Sequence, residues 1–145
     1  MLQVPWLAEA RSHGLFSPWH IPANVYFSML EPPDFSGRFP FIGPSAVGMS
    51  MLLVSTALLT SVYAGFRDRT ARLLWLTAGV VAVPVFLYYG GGLVQYGFRY
   101  SLDFTPFLVA IMAMGSDRWA GRRERILVLV SIASVAIGIW WYATR

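Results

Sequence analysis

Between residues 45 and 142 the chain alternates long uncharged apolar stretches with short arginine clusters. Ala46 to Phe66 is 21 residues without a charge, and the next uncharged run extends from Leu73 to Phe98. A helix rises about 1.5 Å per residue and a bilayer core is roughly 30 Å thick, so runs of this length can cross a membrane. Composition agrees: 57% of residues are hydrophobic and 12% are charged, about half the charge of an ordinary soluble domain. The pattern predicts an all-α integral membrane protein, a polytopic transmembrane bundle of about four spans preceded by an interfacial segment on the outer face.

The spans are expected at about 46–66, 73–89, 100–115 and 126–142, forming a bundle over residues 45–145. Residues 1–44 differ from the rest. They hold seven of the nine prolines, Trp6, Trp19 and both histidines, and contain no uncharged stretch long enough to span. Pro22 suits a first-turn position and Pro32-Pro33 stops what precedes it, so Ile21 to Leu30 reads as one short helix. The region is expected to lie on the surface, with its aromatic side chains at headgroup level. The first ten residues contain Glu9 and Pro5 and lack a basic lead-in, unlike a cleavable signal peptide.

Arginine placement predicts orientation. Every basic residue except the histidines is Arg. The segments 67–72 and 116–125 hold seven arginines in sixteen residues, whereas Arg11, Arg38, Arg99 and Arg145 are spread over a much longer total. The positive-inside rule makes the two dense loops cytoplasmic and puts the N-terminus, the 90–100 segment and the C-terminus outside a plasma (inner) membrane. The net charge of +4 is divided among loops and does not form the basic face of a nucleic-acid binder. Without cysteine there is no disulfide framework or thiolate metal site.

The third span is short. Only thirteen uncharged residues separate Asp103 from Asp117, so Arg99 and Asp103 are candidates for ionisable groups at membrane depth, which usually face a bundle interior or wet cavity. In an α-helix they share a face, with Tyr96 one turn earlier. A guanidinium at the mouth of a bundle can hold a lipid phosphate through paired hydrogen bonds; the alternative is a structural Arg99–Asp103 pair, or snorkelling to the headgroups. Arg99, Tyr96 and Asp103 are therefore lipid-phosphate candidates. Glu31 and Asp34, flanking Pro32-Pro33, are weaker acid candidates, as general base or divalent-cation ligand; the alternative is two solvated loop carboxylates. His13 and His20 lack metal-ligand spacing and read as interfacial polar residues, so neither a metal site nor a cofactor is evident. No residue is assigned as catalytic.

Gly14-Leu15-Phe16-Ser17, Ile21-Pro22-Ala23-Asn24-Val25-Tyr26, Arg38-Phe39-Pro40-Phe41 and above all Gln95-Tyr96-Gly97-Phe98-Arg99-Tyr100-Ser101-Leu102-Asp103-Phe104-Thr105-Pro106-Phe107-Leu108 resemble the C-terminal part of bacterial polytopic membrane glycosyltransferases of the C-type fold. The resemblance covers roughly residues 14–142. It implies transfer of a hexosyl group from a polyprenyl-phosphate donor at the outer face, with Arg99 contacting the lipid phosphate. In that family the catalytic carboxylate lies in the first outer loop, after an N-terminal span, so the role does not pass to Glu31 or Asp34. The chain is then the C-terminal part of a larger or split enzyme, inactive alone. A different expectation is a small non-catalytic membrane protein that binds lipid or a partner membrane subunit. A transporter is less favoured because no internal repeat is visible.

Overall fold

The computed structural model describes residues 5–37, 39–66, 68–92, 95–115 and 121–144. Arg38, Arg67, Arg118 and Arg145, used above for orientation, lie outside them. The chain is mostly helical and includes two helices long and apolar enough to cross a membrane.

Helix α1 is Pro5–Ser12, α2 is Ile21–Met29, α3 is Met51–Val54, α4 is Arg69–Leu87, α5 is Thr105–Met114 and α6 is Arg122–Ala143. Among the described residues three 3-10 segments, Pro18–His20, Thr56–Ala64 and Arg99–Asp103, lie between them. A short antiparallel pair joins β1 (Asp34–Phe35) to β2 (Ile42–Gly43), with Asp34 opposite Gly43.

α4 begins where local chemistry says it should. Asp68 is extended, and its carboxylate accepts the Ala71 N–H at 2.9 Å, satisfying one donor that the first helical turn leaves open. That bond holds the Asp68 carboxyl below the usual carboxylate range. Ala71, Ala78 and Ala82 form the buried stripe of α4, and their small side chains let neighbours approach closely. Leu73, Leu76, Val80 and Val83 form its other stripe, each more than half exposed. Ala78 and Ala82 pack with Leu58, Ala64, Phe104, Leu108 and Ile111 into the core shared by α4, α5 and the Thr56–Ala64 segment. Both long helices start earlier than the uncharged runs, at Arg69 and Arg122, because arginine is a good helix former and carries the helix into the polar loop.

The other two expected spans are not continuous α-helices. At 46–66, α3 ends after four residues at Ser55 (φ −133°, ψ 66°), and a nine-residue 3-10 helix follows. Side chains of α6 hold this second piece. Thr56 Oγ1 donates to Leu127 O at 2.8 Å, and Ser131 Oγ accepts the Ala57 N–H at 2.9 Å. At 100–115 the 3-10 turn Arg99–Asp103 gives way at Phe104 to the ten-residue α5. Pro106 forces that boundary, since its ring would strike the carbonyl four residues back in a continuing helix, yet it suits a first turn.

Residues 14–30 dock on the C-terminal end of α4. Ser17 N donates to Leu87 O at 2.9 Å and Tyr89 N to Leu15 O at 3.0 Å. Asn24, only 3% exposed, donates both Nδ2 hydrogens, to Phe86 O at 2.9 Å and Tyr88 O at 2.7 Å. These donors satisfy terminal carbonyls that no later turn of α4 can reach.

Candidate functional site

Arg99 is positioned by a backbone lock around Gln95. Gln95 is 4% exposed, and its Nε2 donates to Val47 O at 2.6 Å and Gly91 O at 2.9 Å, while its Oε1 accepts the Arg99 N–H at 3.3 Å. Glycine makes room for it on two sides. A Cβ on Gly48 (φ +99°) would lie 2.8 Å from Gln95 Cγ, and one on Gly92 (φ +83°) would lie 2.6 Å from Oε1; both also adopt a left-handed backbone that glycine tolerates. Two further bonds, Met49 N to Tyr96 O at 2.9 Å and Phe98 N to Met49 O at 3.1 Å, tie the segment to the entry of α3.

The Arg99 side chain is exposed and lies over its own neighbour, with Cζ 5.2 Å from the Tyr100 ring centre and Nη2 3.5 Å from the Tyr100 hydroxyl. It lines a cavity of about 310 Å³ whose walls include Met51, Val54, Leu58, Leu102 and Tyr142. This is a mostly apolar space with a guanidinium among its lining groups.

Asp103 is not brought to the same place. It lines a separate cavity of about 380 Å³ with Val81, Pro84, Val85 and Tyr88. Among the described residues no ion pair joins it to Arg99. The expectation of a shared face assumed α-helical geometry. Residues 99–103 form a 3-10 turn of about three residues per turn, which rotates positions four apart by roughly a third of a circle.

Tyr96 borders the Arg99 cavity, but its hydroxyl donates to Ser134 O at 2.8 Å and its ring lies against Gly138, where a Cβ would come within 2.8 Å. It anchors this segment to α6. Glu31 is also engaged: its Oε1 accepts the Ser45 hydroxyl at 2.7 Å and its carbonyl accepts the Ser50 N–H at 3.0 Å. Asp34 is exposed in β1. Among the described residues no cluster of three or more His, Cys, Asp or Glu could hold a metal ion.

His13 stacks on Trp19 with ring centres 4.6 Å apart. His20 corrects the interfacial reading: it is 3% exposed, with Nε2 3.0 Å from Gly14 O. That contact requires a proton on Nε2. Sequence reasoning named Gln95 and Asn24 only within longer segments and missed their roles. Their partners lie up to 48 and 64 positions away, and no spacing rule reaches that far.

These observations define a helical chain with two membrane-length apolar helices and a cavity bearing one arginine. Comparison with protein-family models, curated proteins and solved structures finds no match.

Proposed function

We propose that this chain is a multi-pass inner-membrane helix module, the C-terminal part of a glycosyltransferase that uses a polyprenyl-phosphate-linked sugar, and that Arg99 contacts the lipid phosphate. The observation that carries this reading is the Arg99 guanidinium lining a largely apolar cavity with no acidic partner among the described residues. Such a space suits a molecule with an anionic head and a hydrocarbon body. The fourteen-residue similarity around Arg99 supplies the link to glycosyl transfer, and the catalytic loop would be contributed from outside this chain.

The dimensions support the membrane placement. α4 and α6 are about 28 Å and 33 Å long by helical rise, close to the thickness of a bilayer core. A 3-10 helix rises about 2.0 Å per residue, so the broken segment from Met51 to Ala64 reaches about 24 Å despite its length. Arginine counting puts the Arg99 segment on the outer side, where polyprenyl-linked donors of this family are used.

A decisive comparison is native mass spectrometry of the full chain in lipid nanodiscs with a long-chain polyprenyl phosphate and the matching polyprenol. Arg99→Ala should weaken phosphate-lipid binding by about tenfold or more, the loss expected for one charge-assisted contact, without changing polyprenol binding. Equal retention of the phosphate lipid by both proteins refutes the role of Arg99. A C-terminal tag at the chromosomal locus tests the longer enzyme, which requires a product well above 16.2 kDa.

The second reading, a non-catalytic module that binds a partner bundle, is favoured by α6. Only 6% of its most apolar window is buried within the chain, leaving a face that lipid or further helices can cover. A native product near 16.2 kDa together with an inert Arg99→Ala change would select it.

A further inference from the structure

A second cavity, about 290 Å³, lies where α1 and α2 meet the end of α4, and among the described residues it shares none with the Arg99 cavity. Glu9, Trp19, His20, Asn24, Phe27 and Tyr89 line it. Its acceptors outnumber its side-chain donors, which are the Trp19 indole N–H and the Tyr89 hydroxyl. Both Asn24 amide hydrogens are committed to Phe86 O and Tyr88 O, leaving that side chain only its oxygen to offer. The His20 Nε2–H is committed to Gly14 O. Glu9 adds a carboxylate, and Trp19, Phe27 and Tyr89 add aromatic rings.

Among the described residues no Arg lines the cavity. The Asn24 bonds also fix this space beside the C-terminal end of α4. The carboxylate and the aromatic rings favour a cation. An anion would meet Glu9.

We propose that this cavity binds an alkylammonium group of the ethanolamine or choline type, held by the aromatic faces through cation–π attraction and by Glu9 through charge. Trp19 is the accessible wall, 64% exposed, so the ligand enters past it. The cation can come from a lipid headgroup or from a free amine, and the first source rests on the membrane reading given above.

Calorimetric titration of the purified full chain in detergent, first with tetramethylammonium chloride and then with neopentyl alcohol, its neutral near-isostere, tests the site. Tetramethylammonium should bind saturably and at least about tenfold more tightly than the alcohol. Glu9→Gln and Trp19→Ala should each weaken it by about fivefold or more, with the circular dichroism spectrum unchanged because both side chains are exposed. Arg11→Gln, outside the cavity, should retain binding. Equal affinity for cation and alcohol, no saturable binding of the cation, or full binding by both cavity variants each overturns the proposal. Nanodiscs separate the sources. Phosphatidylethanolamine, but not phosphatidylglycerol, should displace tetramethylammonium if the headgroup is the ligand, whereas displacement by free choline with no lipid effect assigns a soluble amine.

Discussion

Replacing Asn24 with Asp changes one atom type and should release the N-terminal layer from α4. The wild-type amide donates to two buried carbonyls, Phe86 O at 2.9 Å and Tyr88 O at 2.7 Å. An aspartate in the same place donates to neither and sets an acceptor against both. Two hydrogen bonds at about 1 kcal/mol each, with the further cost of stranded carbonyls, amount to about 2–4 kcal/mol. At about 1.4 kcal/mol per factor of ten, local protection should fall by roughly 30-fold to several hundred-fold. Hydrogen exchange read at two amides reports this directly. Ser17 N bonds Leu87 O and Tyr89 N bonds Leu15 O across the same junction, so both should lose protection while the α5 amides keep theirs. Facing carbonyls, the introduced carboxyl has a folded pKa above its unfolded value. The penalty is therefore largest at neutral pH and shrinks as pH falls through that raised value, because the protonated acid regains one donor. Unchanged Ser17 and Tyr89 protection in Asn24→Asp at pH 7 would mean the layer is held by something other than this amide.

Close packing gives a paired prediction. Gly115→Ala places a Cβ 2.9 Å from the Ala64 backbone nitrogen, which cannot move as a side-chain end could, and should cost about 1–3 kcal/mol. Gly79→Ala meets nothing within 4 Å and should be neutral or slightly stabilising through helix propensity; comparing their thermal transitions in one detergent tests the contrast, and an equal loss in both refutes it. Asp68→Ala should increase exchange at the Ala71 amide above the ordinary carboxylate pKa. Since the folded pKa is depressed, the gap between the two proteins should close as pH falls through it and the wild-type carboxylate becomes protonated. A gap independent of pH would rule out the carboxylate cap.

The two long helices were legible because hydropathy, length and charge are properties of a continuous stretch. Pro22 opens α2 within its own first turn. The layer before residue 45 was legible as non-spanning for the same reason, since its prolines act on their immediate neighbours. The Arg99–Asp103 expectation failed on geometry. The spacing was right for an α-helix, but the chain winds as a 3-10 turn there, so the charges line different cavities.

What local pattern determined, then, is the presence of two membrane-length apolar helices and the proline-rich segment before them, too interrupted to span. Tertiary structure decided the break at Ser55, where Ser131 of α6 bonds Ala57; the bond from Gln95 to Val47 O; and the capping of α4 by Asn24. The physical reason is common to all three. A buried polar group must find a partner, and here that partner lies dozens of residues away, adjacent only after the helices have packed.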